Sequence, residues 1–196
     1  MNHLTIKSIT KNEYKDFLLT YHYLKRLPTC LYSFGLFDTD ELIGVIIYGR
    51  ICSPGVVKSI VDEEFRSSLL ELNRLCLKYN RKNEASYFIS KTLKLIPKDS
   101  IVLSYADTNE NHLGTIYQAT NFKYYGTTPT KRECFLPGLE HIHSRSAFIY
   151  AKKYGLDIEY RNRSKKHRYI YATGNSKDFL YSLIKYEETS YPKGNL

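Results

Sequence analysis

Tryptophan is absent from this chain of 196 residues, and cysteine occurs only four times, at Cys30, Cys52, Cys76 and Cys134. No two cysteines stand at CxxC spacing, which excludes a zinc ribbon and a dithiol redox centre, because both need thiols paired in that way. The four are expected to be small buried or half-buried hydrophobes in a reducing compartment. No apolar run approaches the roughly 20 residues that cross a bilayer; residues 42–48 and 101–106 are apolar over strand length only. The opening residues, MNHLTIKSITKNEY, lack the apolar core of a secretory signal, so a cytoplasmic protein without a membrane partner is expected. Internal repeats and low-complexity linkers are missing too. With 42% hydrophobic residues the chain has material for one core and too little for two. One domain over residues 1–196 is expected, with residues 137–196 as a C-terminal extension.

What the chain has in excess is positive charge. A formal net charge of +9 makes a field that attracts polyanions, of which nucleic acid is the commonest. Late in the chain cations and rings are interleaved as Tyr160, Arg161, Arg163, Lys165, Lys166, His167, Arg168, Tyr169 and Tyr171. Cations meet phosphates while rings stack on bases. Arg161, Arg163, Lys165, Lys166 and Arg168 are therefore candidate phosphate contacts, with a solvated charged loop as the plain alternative.

Periodicity gives the elements. Residues 5–9 alternate as a strand, and residues 11–23 place Tyr14, Phe17, Leu18 and Tyr21 at helical spacing behind Thr10 as N-cap. Residues 31–37 and 41–48 are β-rich runs joined by Asp38-Thr39-Asp40, a hairpin connection. Residues 69–79, LLELNRLCLKY, alternate so that Leu70, Leu72, Arg74, Cys76 and Lys78 share one face and Glu71, Asn73, Leu75 and Leu77 the other. Glu71 and Arg74, three apart, are expected on opposite faces with no direct salt bridge. A helix over residues 84–96 ends at Pro97, followed by a buried-type strand at 101–106, a helix at 112–122 and a strand at 123–128. The remainder reads as a helix at 143–154 stopped by Gly155, a strand near 168–172 and a helix at 175–186. The fold class is α/β (α+β), a mixed, mostly antiparallel central sheet flanked by helices.

That order is the plan of the GNAT acyltransferases, and NENHLGTIYQATNFKYYG at residues 109–126 resembles their closing helix and strand. Read together, His22-Tyr23 ahead of Leu27-Pro28, ELNRL at 71–75, NEAS at 83–86, YAD at 105–107 and Tyr117 resemble the bacteriophage Mom family of DNA adenine modification proteins, over roughly residues 20–130. The resemblance implies a GNAT-like fold and the conversion of adenine in double-stranded DNA to an N6-carbamoylmethyl form that protects viral DNA from host restriction. It also implies that His22, Tyr23, Asp107 and Tyr117 meet at one centre, as catalytic groups or as metal ligands, with iron as the candidate metal.

The same residues have readings of their own. Asp107 follows an apolar strand, where ligands of open α/β sheets gather, or it caps the next turn. His22 ends a helix and is equally a cationic cap. In an ordinary GNAT enzyme a glycine-rich loop holds the coenzyme A pyrophosphate; here that loop reads Arg81-Lys82-Asn83-Glu84-Ala85-Ser86, with no glycine and with Glu84 where an anion approaches. Arg81, Lys82, Asn83 and Ser86 are the candidate contacts for acetyl-coenzyme A or another acyl donor, against the alternative that Asn83 caps a helix and Glu84 complements its dipole. Arg74 is the candidate for holding an anionic group, and ordinary core pairing is its alternative. His141 and His143 form an H-x-H pair without a third ligand and are expected in a surface loop. Two other functions stay open: a coenzyme A-dependent N-acyltransferase acting on a small molecule or protein, and a nucleic-acid-binding protein without catalysis.

Overall fold

The computed structural model describes residues 3–140 and 142–193. Four antiparallel neighbours open the sheet: β1 (Leu4–Ser8), β2 (Tyr32–Asp38), β3 (Glu41–Gly49) and β4 (Leu69–Leu77). β5 (Ile101–Asp107) lies parallel to β4. The sheet is completed by β9 (Lys166–Ala172) and, at its edge, β6 (Lys123–Thr127), with β9 antiparallel to both neighbours. This is the mixed, mostly antiparallel sheet that the sequence predicts, in the order β1-β2-β3-β4-β5-β9-β6.

Strand alternation divides the core between two faces. On one, α3 (Glu84–Thr92) and α4 (Thr115–Gln118) bury Phe88, Ile89 and Tyr117 against Leu36, Ile46, Leu72 and Val102. Each such apolar side chain stabilises the fold by about 1.5–3 kcal/mol. On the other, α1 (Lys11–Tyr21) packs Tyr14, Phe17 and Leu18 on Val45, Ile47 and Cys76. Farther along this face α2 (Pro54–Ile60) and α6 (Lys177–Ser182) bring Val57, Ile60 and Leu180 onto Leu69, Leu103 and Ile170. The first turn of α1 is held by Glu13, whose carboxylate accepts the Thr10 N–H at 2.6 Å and its hydroxyl at 2.8 Å.

A bulge in β4 changes which residues share a face. Ile47 pairs with Arg74 and Tyr48 with Leu72, so Asn73 has no partner across the ladder and instead donates from Nδ2 to Thr29 O at 3.1 Å. An extra residue inverts the alternation beyond it. Leu70 and Leu72 therefore share the core face with Leu75 and Leu77, and Glu71 is brought to the side of Arg74 and Cys76. The expected separation of Glu71 from Arg74 is corrected, and each charge acts on the other, although no direct ion pair between them forms among the described residues.

Other differences have local causes. The helix expected at 112–122 shortens to α4, because Gly114 at φ +73° and Asn121 at φ +62° break the helical path on either side. The stretch at 49–68 holds α2, started by Ser53, whose Oγ accepts the Val56 N–H, and by proline in the first turn. Residues 137–196 are no appendage, since β9 is a central strand between β5 and β6. The chain makes its excursion between β6 and β9: β7 (Lys131–Phe135) and β8 (Glu159–Arg163) form a two-stranded ribbon. Between them α5 (Ser144–Tyr154) packs Ala147 and Ala151 on Leu136, Ile142 and Ile158. His143 caps α5, its Nδ1 accepting the Arg145 N–H at 3.0 Å; His141 lies outside the described residues. Among the described residues no helix is long and apolar enough to cross a membrane.

Candidate active site

β4 and β5 pair only as far as Leu72 and Ser104. Beyond that point β5 stays on β9 up to Asp107, opposite Lys166, while β4 follows β3 to Leu77. The two parallel strands thus part at their carboxyl ends, and the gap is a cavity of about 590 Å³, within the range of small-ligand sites. Leu75, Cys76 and Leu77 form one wall, Tyr105 and Ala106 the other, with loop 111–114 and Tyr117 beside them and Tyr21, His22 and Tyr23 at the end of α1.

His22 is buried there. Its ring stacks on Tyr23 with centroids 4.6 Å apart, and its Nδ1 accepts the Leu24 N–H at 3.1 Å. Burial first, then the cations Arg74, Arg26 and Lys25, push its pKa down to about 4. His22 is neutral near pH 7 with its proton on Nε2, which corrects the cationic helix cap: burial among like charges outweighs a helix terminus. A pH dependence of stability follows. Between the ordinary histidine value near 6.5 and about 4 the unfolded chain binds a proton that the folded one refuses, so stability falls as pH is lowered through this window, by at most about 1.4 kcal/mol per unit. Urea unfolding between pH 7 and 4 is expected to show a shallower fall for His22→Asn, whose carbonyl still accepts the Leu24 N–H. Comparing the two separates His22 from Glu71, whose carboxyl is raised by burial and pulls the other way.

Asp107 stands at the end of β5, accepting the Asn109 N–H on Oδ1 at 3.0 Å and facing Lys166 Nζ at 3.5 Å. Burial works to raise its pKa, but hydrogen bonds from Ser164 and the Asn109 N–H and the charge of Lys166 outweigh it and hold the carboxyl below its usual range. Asp107 caps the turn at 108–110, and its carboxylate is held in the ionised form. Burial and then Asp107 raise the Tyr23 phenol. Tyr117, packed 5.3 Å from the Tyr169 ring, is pushed up by burial to about 12 and keeps its proton. His22, Tyr23 and Tyr117 line the cleft; Asp107 lines a neighbouring cavity whose wall also includes Tyr23.

As a metal set three of these four are already engaged, and the fourth, Tyr23, has its phenol pKa raised by burial. Asp107 is held by Lys166, Ser164 and Asn109, the lone pair on His22 Nδ1 is taken by Leu24, and Tyr117 stays protonated. Among the described residues no three His, Cys, Asp or Glu side chains gather as a metal site. The donor set does not fit iron.

In the loop before α3, Asn80 at φ +49° and Asn83 at φ +62° take the left-handed backbone that glycine otherwise supplies. Two asparagines flanking RK were a legible signal that was missed. Asn80 and Ala85 border the cleft. Of the four predicted contacts, Arg81 is paired with Asp38 at 2.7 Å, Ser86 donates to Asn83 O at 3.1 Å, and the Asn83 side chain makes no cap bond. Lys82 is exposed. Glu84 is buried, with Oε2 accepting the Arg81 N–H at 3.1 Å and Oε1 without a partner. Arg74 is half-buried with Nε unpartnered, and its charge acts on His22 and Tyr23.

The basic tail divides. Arg161, Arg163 and Lys165 are exposed, whereas Lys166 serves Asp107. Arg168 is buried, donates to Tyr125 O at 2.8 Å and stacks 3.6 Å over the Tyr186 ring. Its expected phosphate contact is corrected, because a side chain enclosed on a central strand has no path to a nucleic acid. Arg168→Ala is expected to cost about 2–4 kcal/mol in chemical denaturation.

A sequence model of the Mom protein family matches residues 3–193. The chain belongs to the Mom protein family. A curated relative, "Methylcarbamoylase mom" of Escherichia phage Mu, is 32% identical over 119 residues, which make up 58% of this chain and 49% of the relative. The chain spans about half the length of that relative. The fold is that of the GNAT acetyltransferases. Arabidopsis thaliana NAA60, solved with acetyl-CoA, superposes with a TM-score of 0.54 at 13% identity, covering 86% of this chain and 97% of its own. An N-acetyltransferase from Staphylococcus aureus Mu50 gives 0.51 at 14%, with the same coverage of 86% and 97%. A putative acetyltransferase from Salmonella typhimurium, solved with its cofactor acetyl-CoA, gives 0.52 at 8%, covering 87% and 94%. The Mom-family match runs from β1 past α6 and so takes in the ribbon and α5.

Proposed function

We propose that this protein is a DNA-modifying transferase that places a carbamoylmethyl-type group on the N6 amine of adenine in double-stranded DNA and so shields viral DNA from host restriction. The observation that carries this reading is the cleft between the parting strands, with neutral His22 and Tyr117 in its wall and an ionised Asp107 next to Tyr23. N6 is a poor nucleophile because its lone pair is delocalised into the ring, so the site has to stabilise the charge that develops as it attacks. In this reading Asp107 accepts a hydrogen bond from the amine and offsets the positive charge growing there, while His22 Nε2–H and the Tyr117 phenol donate toward the charge leaving with the donor's departing group. The N6 lone pair forms the new N–C bond, the leaving group takes the old bonding pair, and N6 gives up one proton to the Asp107 carboxylate. The donor lies between the ends of β4 and β5, where two rows of main-chain groups lack strand partners; an amide-bearing donor whose reacting carbon is the methylene of the carbamoylmethyl group suits that edge.

Mass spectrometry of nucleosides from the DNA of bacteria expressing the protein tests this. A new adenine-derived nucleoside is expected. Unmodified DNA together with saturable acetyl-coenzyme A binding and N-acylation of small amines would favour the coenzyme A-dependent acyltransferase instead.

A further inference from the structure

We infer that the second cavity, on the far side of Tyr23 from the cleft, receives a flipped-out adenine nucleotide of DNA, with Arg26 and Arg163 holding the phosphates that flank it. This rests on the reading of the protein as a DNA-modifying transferase and specifies where its acceptor binds. The cavity holds about 420 Å³, enough for a small ligand. It shares Tyr23 with the cleft and is lined by Asp107, so a base here lies beside Asp107 and meets a donor in the cleft at Tyr23.

The two cavities differ in chemistry. The cleft is walled by Leu75, Leu77, Ala106 and Ile116, whereas the second is lined by charges from two directions: Arg26 from the segment after α1, and Arg161 and Arg163 from the β7–β8 ribbon. Four carboxylates, Asp107, Glu110, Glu133 and Glu140, line it beside five cations, Lys25, Arg26, Arg161, Arg163 and Lys166. Asp107 faces Lys166 at 3.5 Å and Glu133 pairs with Arg161 at 3.0 Å. Arg163 reaches Glu133 only at 4.0 Å, and Arg26 forms no ion pair among the described residues. Both guanidiniums nevertheless act on one point, since each depresses the pKa of His143 on the cavity wall, after burial as the main cause.

Two arginines with donors to spare, brought to one polar hole from distant parts of the chain, match the phosphates on either side of one nucleotide. The exposed phenol ring of Tyr23 offers a stacking surface, and Asp107 is an acceptor for an exocyclic amine. A base in a duplex has to leave the stack to reach such a hole. The ribbon excursion between β6 and β9 supplies a wall that the central sheet alone does not have.

The test uses the full-length protein and a duplex in which one adenine lies opposite an abasic site, compared with the fully paired duplex. Wild-type protein is expected to prefer the first. In the double variant Arg26→Ala/Arg163→Ala that preference is expected to disappear, with affinity about tenfold or more lower and the salt slope smaller by about one per arginine removed. Arg26→Lys/Arg163→Lys is expected to keep the salt slope, and circular dichroism checks the fold of each. Lys152→Ala/Lys153→Ala on α5, away from the cavity, is expected to weaken both duplexes equally. If wild-type protein modifies DNA and the double alanine variant keeps its preference for the unpaired adenine, the cavity assignment is overturned and the DNA reading stands. If wild-type protein neither modifies DNA nor distinguishes the two duplexes, both are overturned.

Discussion

Asp107→Asn is expected to cut formation of the modified nucleoside by about 100-fold or more, the range seen when one preorganised electrostatic group is removed from a reacting centre. Asparagine keeps the shape and can still accept the Asn109 N–H, so the turn at 108–110 should survive. What disappears is the negative charge that hydrogen bonds and Lys166 maintain against burial. In single-turnover kinetics the loss should fall on the chemical step more than on DNA binding, because the groups proposed to hold phosphate are elsewhere. The substitution also strands Lys166, whose own pKa is lowered by burial and supported by Asp107, and about 1–3 kcal/mol of stability should go with it. Adding Lys166→Met to Asp107→Asn is expected to return part of that stability, since replacing both members of a partly buried pair costs less than orphaning one, yet to return none of the activity. Recovery of activity in the double variant would show that Asp107 acts only by holding Lys166.

Gly114→Ala is expected to be the most damaging methyl group that can be added near the cleft. Gly114 sits at φ +73°, and a Cβ there would stand 2.3 Å from Tyr169 Cε2 and 2.7 Å from its Cζ. The ring cannot yield easily: Tyr169 is fully buried on β9, its hydroxyl donates to Leu113 O and it receives Gln118 Nε2 at 3.3 Å. Left-handed backbone strain and overpacking together predict a loss of about 2–5 kcal/mol, read as a drop of roughly 5–15 °C in Tm for a chain of this size. Because Gly114 lines the cleft, activity measured well below the new Tm should fall as well. Tyr169→Phe, which removes only the hydroxyl, should cost about 1 kcal/mol. An unchanged Tm for Gly114→Ala would mean that loop 111–114 takes another path.

Period and punctuation in the sequence were enough for most of the sheet and for α1 and α5, the latter stopped at Gly155 as expected, whereas α3 ends at Thr92, short of the expected stop at Pro97. Residues 131–135 and 159–163 gave no such pattern. As β7 and β8 they form a ribbon with little buried surface, and alternation shows only where one face is covered. The helix at 112–122 was overextended for the opposite reason: Leu113, Ile116, Tyr117 and Phe122 keep helical spacing, yet Gly114 and Asn121 interrupt the backbone that would join them.

The sequence by itself determined the fold class and the apolar strands, and its short motifs pointed to His22, Tyr23 and Tyr117, which do share one cleft, and to Asp107 in the cavity beside it. The strands are local properties, written in periodicity, while the four site residues came from the resemblance of short motifs to the Mom family. Only the tertiary structure decided which cations are available. Arg168 is enclosed between Tyr125 and Tyr186, Lys166 answers Asp107, and Arg26, about 140 residues before Arg163 in the chain, is brought to the same cavity. It also decided that Glu71 and Arg74 lie on one side, because a bulge is set by how β4 pairs with β3. The charge of a side chain is fixed by its type, but its burial, its partners and its proton are set by neighbours that the chain supplies from far away.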